Sequence, residues 1–284
     1  MVSFSDLGIG PAIVKELNKN GITEPFEVQK ESIPDSLLGR DVCCRAPTGS
    51  GKTLAFGLPL IARTKRANPK RPTGLILTPT RELAEQINSV LRPIALAVDR
   101  DVVSIYGGVS YKKQYNALNK GVDILVACPG RLIDLLDRRA LKLDDVETVV
   151  LDEADRMADM GFMDPVCEIL DKCSNERQTI LFSATLDDDV ADLVKNYQND
   201  PVTIEVGPKE VSIENMQHLF WTMKPHQKLG VTSEILAKCG KTMIFCKTRR
   251  GVDRLGNEMY DAEMNVSTLH GGLNQRQRDR ALKR

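Results

Sequence analysis

Seven short apolar runs, at 41–45, 74–78, 102–106, 123–127, 148–151, 179–182 and 202–206, constrain this 284-residue chain more than any other feature. In most of them Val, Ile and Leu follow one another without alternating with polar residues. Between them lie longer amphipathic stretches, at 52–62, 81–96, 131–138 and 188–197. A strand wet on one side alternates apolar and polar positions. A run that is apolar throughout suits a strand covered on both faces, as in a parallel sheet with helical crossovers. The expected fold class is α/β: a parallel sheet flanked by helices.

The length fits two domains, or one and part of a second. Around 206–210 the pattern breaks into a charged segment rich in turn residues, so the expected organisation is a first domain over 1–207, a linker over 208–215 and a second domain over 216–284. The last is shorter than the roughly 100–150 residues typical of an independent α/β domain and is expected to be incomplete. Its strand candidates are 218–223, 242–246 and 266–269, its helix candidates 227–238 and 249–259, and a basic helix is expected over 275–284.

Lys plus Arg and Asp plus Glu number 39 each, so a polyanion-binding surface must come from a few placed residues, not from net charge. The polar start does not read as a signal peptide, and no apolar run approaches a membrane span. Seven scattered cysteines show no CxxC spacing, which favours buried free thiols and a cytoplasmic location. Three dispersed histidines do not make a metal site, and Trp221, inside a strand candidate, is expected in the core.

The run 41–45 leads into Ala46-Pro-Thr-Gly-Ser-Gly-Lys-Thr53, where a helix begins. This is GxxxxGK[ST] with Ala46 at the first glycine. Gly49 and Gly51 let backbone amides turn inward around a phosphate, Lys52 supplies a point charge, and the Thr53 hydroxyl can ligate Mg²⁺. A second strand runs into Asp152-Glu-Ala-Asp155. In a parallel sheet both loops emerge at the carboxyl edge, where ligands collect. Asp152 suits a metal carboxylate and Glu153 a group that orients and deprotonates water. An acidic helix N-terminus explains one or two of these acids, but not their company with Lys52 and Thr53.

With these residues in view, the chain resembles the DEAD-box family of ATP-dependent RNA helicases, whose name spells 152–155. The family carries alanine at the position of Ala46. The resemblance implies a RecA-like first domain followed by a partial second one. It makes Ala46, Thr48, Gly49, Ser50, Gly51, Lys52 and Thr53 nucleotide contacts, Gln29 the adenine reader and Phe4 the upstream aromatic at the base. Pro79-Thr80-Arg81, Gly107-Gly108 and Pro129-Gly130-Arg131 resemble RNA-contacting elements, as do Thr248, Arg249 and Gly271 further on. Ser183-Ala-Thr185 resembles the segment that couples nucleotide state to strand separation, with Ser183 or Thr185 bonded to Asp155 or Glu153; Thr185 reads equally as a helix cap. Taken singly, Arg81 and Arg131 read equally as solvated arginines on turns; at helix starts they could face a sugar-phosphate backbone beside backbone amides.

Two residues depart from the family pattern: Phe26 and Cys128 stand where threonine is usual. The motifs that bind ribose and supply arginine fingers have no counterpart here. The implied activity is RNA-dependent ATP hydrolysis coupled to duplex unwinding, with ATP and Mg²⁺ as cofactors and RNA backbone as partner; these 284 residues are expected to bind nucleotide and hydrolyse it poorly. A monomer is expected, with pairing through an unfinished sheet edge as the alternative. The rival function is a non-catalytic, nucleotide-gated RNA-binding module.

Overall fold

The computed structural model describes residues 2–207, 217–224 and 227–282, and the chain divides into two units, 1–211 and 212–284. The linker expected at 208–215 lies outside the described residues.

In the first unit, α1 (Pro11–Lys19) and α2 (Glu27–Leu37) precede an alternation of strand and helix. It runs β1 (Val42–Arg45), α3 (Lys52–Arg63), β2 (Gly74–Leu77), α4 (Arg81–Leu96), β3 (Val102–Ile105), α5 (Tyr111–Lys120), β4 (Ile124–Ala127), α6 (Pro129–Asp137) and β5 (Thr148–Asp152). Then come α7 (Ala154–Asp159), α8 (Met163–Asp171), β6 (Gln178–Ser183), α9 (Asp188–Tyr197) and β7 (Val202–Glu205). The seven strands form one parallel sheet in the order β3-β4-β2-β5-β6-β1-β7. All seven apolar runs are strands of it. The central strands β2, β4 and β5 are covered on both faces because successive side chains enter opposite layers: Ile76, Val126 and Val150 pack into one core with α1–α4, whereas Leu75, Leu77, Leu125, Ala127, Val149 and Leu151 pack into the other with α6–α9. Phe56 of α3 meets Phe182 of β6 edge-to-face, ring centroids 5.5 Å apart, on the first of these faces.

The sheet order sorts the loops. Registers align Leu77 with Ala127 and Ala127 with Ile105, so the loops after β2, β3 and β4 emerge side by side. Likewise Asp152 is level with Phe182 and Arg45 with Ser183, which places the loops after β5, β6 and β1 together on the other half of the same edge.

The second unit contains α10 (Lys228–Lys238), α11 (Arg249–Asp261) and α12 (Gln275–Leu282). Its expected strands differ: 218–223, 242–246 and 266–269 form no ladder among the described residues. A strand holds its backbone groups only by pairing, and high strand propensity does not replace a neighbour. For the same reason Trp221 is not a core residue as its sequence suggests; it is 53% exposed.

Candidate nucleotide and nucleic-acid site

The loop after β1 is tied to the sheet by Ala46 N, which donates to Ser183 O at 3.0 Å, and is braced internally by Ser50 Oγ donating to Pro47 O at 2.8 Å. Lys52, the first residue of α3, is buried, and its Nζ reaches the loop's own Ala46 carbonyl at 3.3 Å. Thr53 follows it on the first turn. Gly51 sits at φ +94°, and a Cβ there would lie 2.5 Å from the Phe26 ring and 2.6 Å from Gln29 Nε2. Glycine is required both for that backbone and for this close approach.

Gln29 is 2% exposed. Its Nε2 donates to Gly51 O at 2.9 Å and its Oε1 accepts from Phe26 N at 2.9 Å, so it joins α2 to the phosphate loop. An amide offers two donors and two acceptor positions, and these two bonds use one of each. Phe4, expected at the base, lies in the core at 2% exposure among Leu7, Ile9 and Ile13. Its ring is therefore covered in this structure, as is Gln29.

Asp152 ends β5, buried, with Glu153 next in the left-handed region at φ 52°, ψ 53°. Few non-glycine residues adopt that backbone, which turns the chain sharply from strand into α7. Burial pushes the Asp152 carboxyl up to about 7, Lys52 opposing and Glu153 and Asp155 reinforcing the shift. Asp155 is the hub to the next strand: its N–H donates to Ser183 Oγ at 3.1 Å, and its Oδ2 accepts from Thr185 N at 3.1 Å and Thr185 Oγ1 at 3.2 Å. The α9 cap is Asp187, which accepts from Val190 N at 3.1 Å, so Thr185 is free of that duty. Thr48, Lys52, Glu153, Asp155 and Arg156 line one cleft of about 310 Å³. Arg156, 3.9 Å from Glu153, carries no sequence signal that singles it out.

Among the described residues no group of three or more His, Cys, Asp or Glu side chains could hold a metal by itself. A Mg²⁺ site of one carboxylate, Asp152, and one hydroxyl, Thr53, fits that fact, since this ion takes most of its remaining ligands from water and phosphate oxygens. All seven cysteines are free; burial pushes Cys43 up to about 11 and Cys44, Cys128 and Cys173 up to about 12.

On the other half of the edge, Thr80 caps α4 by accepting from Leu83 N, after Pro79, and Arg81 lies over the Tyr106 ring at 5.6 Å from its centroid. Gly108, at φ +80°, leaves room for it: a Cβ there would fall 2.7 Å from an Arg81 nitrogen. Gly107 beside it and Gly130, between Pro129 and Arg131, have open space around them. Arg131 is engaged within the first unit. Its Nη1 donates to Val109 O at 3.2 Å and Gln114 Oε1 at 2.9 Å, Nε lies 3.6 Å from Asp134, and the guanidinium stacks 4.2 Å from the Tyr111 centroid. Here it anchors the turn after β3 and does not face outward. Gln114 and Tyr111, both on α5, were missed because their helix lacks a strong apolar repeat. In the second unit, Thr248 caps α11 by accepting from Gly251 N at 3.0 Å, Arg249 approaches Gly271, and His270 bonds Asp253 at 2.9 Å. The larger cleft there, about 580 Å³ beside Trp221 and α10, is apolar surface left by the unpaired runs.

A phosphate loop after the first strand, paired carboxylates after the fifth and a hydroxyl pair after the sixth define a nucleotide-binding α/β domain of the P-loop class. Comparison narrows it. The family model described as DEAD/DEAH box helicase matches residues 26–193, and that described as Helicase conserved C-terminal domain matches 227–284. The chain belongs to the DEAD/DEAH box helicase family. It is 40% identical over 292 residues to "DEAD-box ATP-dependent RNA helicase 9" of Oryza sativa subsp. japonica, spanning 99% of this chain and 46% of that protein. It is 36% identical to "ATP-dependent RNA helicase CshA" of Listeria monocytogenes, over 100% of this chain and 55% of the relative. The chain thus spans about half the length of the curated relatives it matches. A DEAD box protein from the hyperthermophile Methanococcus jannaschii, solved by crystallography, superposes with a TM-score of 0.69 at 30% identity, covering 100% of this chain and 77% of that one.

Proposed function

We propose that the chain binds ATP with Mg²⁺ in the cleft between the phosphate loop and the DEAD segment, binds RNA through the adjacent half of the sheet edge, and couples ATP hydrolysis to RNA duplex unwinding or remodelling. The carrying observation is the convergence of Lys52, Glu153 and Asp155 on one cleft. In this reading Lys52 leaves its Ala46 carbonyl for a phosphate oxygen, and Thr53 and Asp152 hold the metal, which when bound spreads positive charge over the phosphates. Glu153 orients a water and takes its proton as the water oxygen attacks the terminal phosphorus and the bond to the leaving ADP oxygen breaks. Asp155, bonded to Ser183 and Thr185, relays the state of the cleft to β6.

Backbone contacts from Thr80, Arg81, Gly107, Gly108 and Gly130, with Thr248, Arg249 and Gly271 in the second unit, would bind RNA without base preference and weaken with salt. Because no counterpart of the family's arginine fingers occurs in the 284 residues, we propose that they turn ATP over slowly; such a group contributes about 10³–10⁵ in related phosphoryl transfer. Calorimetric titration of ATP and GTP tests the reading. The parent should bind ATP in preference to GTP and Lys52→Ala should lose both; equal affinities would remove the adenine role from Gln29, and unchanged binding by Lys52→Ala would overturn the site.

A further inference from the structure

Arg131 stands in the first turn of α6 on the carboxyl edge, yet its side chain is only 9% exposed. Burying a guanidinium is costly unless its donors are met. Here Val109 O and Gln114 Oε1 accept from Nη1, Asp134 faces Nε, and the Tyr111 ring covers one face. Tyr111 is held in turn by its hydroxyl, which donates to Asp134, and by Arg138, 4.7 Å from the ring centroid. Gln114 is the other buried member, at 5% exposure, and its Nε2 donates to Tyr106 O at 3.0 Å. One amide therefore joins the residue just after β3 to Arg131, and Arg131 joins Val109.

Between the two carbonyls held in this way, those of Tyr106 and Val109, lie only Gly107 and Gly108. Residues 107–109 belong to no strand or helix, and Gly108 takes φ +80°. Glycine has the most backbone freedom to lose on ordering, so a turn with two of them keeps one shape only if groups outside it do the holding. Gln114 and Arg131 grip it at both ends. A turn ordered beforehand meets a ligand without that entropy cost. The two glycines put no side chain in front of their backbone, which suits contact with a sugar-phosphate chain. Turning Arg131 outward to a phosphate would break its bonds to Val109 and Gln114 and release the turn.

We propose that Gln114, acting through Arg131, is a positioning residue for RNA: the pair fixes the Gly107-Gly108 turn in the shape that offers its backbone to a phosphate, and neither side chain touches the RNA. This rests on the RNA-binding reading above, and the test separates the two. A fluorescent single-stranded oligouridylate is titrated into the intact 284-residue chain by anisotropy over a series of KCl concentrations, with ADP titrated calorimetrically as the control. The proteins are the parent, Gln114→Ala, Gln114→Glu, Arg131→Ala, the Gln114→Ala/Arg131→Ala double variant and Arg81→Ala. Gln114→Ala and Arg131→Ala should each weaken RNA about tenfold, the scale of ordering one residue's backbone, and the double variant no further, because both remove one clamp. Their ADP affinity should stay within about twofold of the parent. The slope of log affinity against log salt should stay at the parent value in both, whereas Arg81→Ala, which removes a phosphate contact, should lower it by about one. Gln114→Glu keeps an oxygen for Arg131 but loses the donor to Tyr106 O, and should weaken RNA less than the alanine variant; if Gln114→Ala does not fold, this variant decides by the same measures. A slope lowered by about one in Arg131→Ala would make it a direct phosphate contact and overturn the positioning role. RNA binding at the parent level in Gln114→Ala, with Arg81→Ala weakened, overturns that role and leaves the RNA reading standing. An equal loss of RNA and ADP in Gln114→Ala overturns it in favour of a general support of the fold. Failure of the parent to bind RNA overturns both.

Discussion

The two units contain runs of similar composition with opposite fates. In the first, Leu75, Ile76 and Leu77 are hydrogen-bonded between β4 and β5 and fully buried. In the second, Met243, Ile244 and Phe245 are unpaired and exposed, Phe245 at 88%. Each set is followed by a helix opening on a threonine cap, Thr80 in one case and Thr248 in the other, so the local code is shared. What differs is the neighbourhood. A parallel strand becomes stable when strands on both sides and helices on both faces satisfy its backbone and cover its side chains. Only the first unit supplies that among the described residues.

The sharpest way to break this comparison is amide exchange. Amides of 149–151 in β5 should exchange only through global unfolding and be slowed on the order of a thousandfold or more, whereas those of 242–246 should exchange nearly as an open chain. Equal protection in the two runs would erase the contrast. Next in size is a pair of truncations. Phe182→Ala, which removes a buried ring packed on Phe56, should cost about 3–5 kcal/mol in urea unfolding, and Phe245→Ala about 0.5 kcal/mol or less. A large loss at Phe245 would show that its run is packed after all.

Asp152 tests the site half of the first unit. Its carboxyl is raised to about 7, so between the unfolded value near 4 and that pH the folded chain holds a proton that the unfolded chain releases. Stability of the metal-free protein from this group is therefore greatest below about pH 4, falls as pH rises to about 7 and is level beyond. Asp152→Asn should raise stability on the order of 3 kcal/mol at pH 8 and leave it unchanged near pH 4. A gain confined to low pH would reverse the sign and contradict the burial argument. The smallest effect sharpens the comparison instead of breaking it. Thr80→Ala should cost about 1 kcal/mol through its lost cap, and Thr248→Ala should lower helix content locally without moving the main unfolding transition.

Much of the first unit was legible because its signals are local. Short runs rich in apolar residues marked all seven strands, and Gly49, Gly51 and Lys52 between strand and helix marked the phosphate loop. The helices missed, α1, α5, α7 and α8, are short or carry too few apolar repeats to stand out. At the site, the bond from Thr185 to Asp155 was anticipated, while the cap role weighed for Thr185 falls to Asp187 two residues on. An arginine at a helix start is free or engaged according to what surrounds it, and Arg131 is held by Gln114 and Tyr111 of a helix that the sequence does not announce.

The amino-acid sequence alone determined the strand–loop–helix units, their parallel pairing and the ordered motifs that mark the family, since each depends on residues close together in the chain. Tertiary structure decided the strand order that sorts the loops into two halves of one edge, the burial of Phe4, the exposure of Phe26 and the lack of a ladder among the described residues of the second unit. Those outcomes turn on which distant segments pack together, and burial is a property of neighbours that a run of residues does not name.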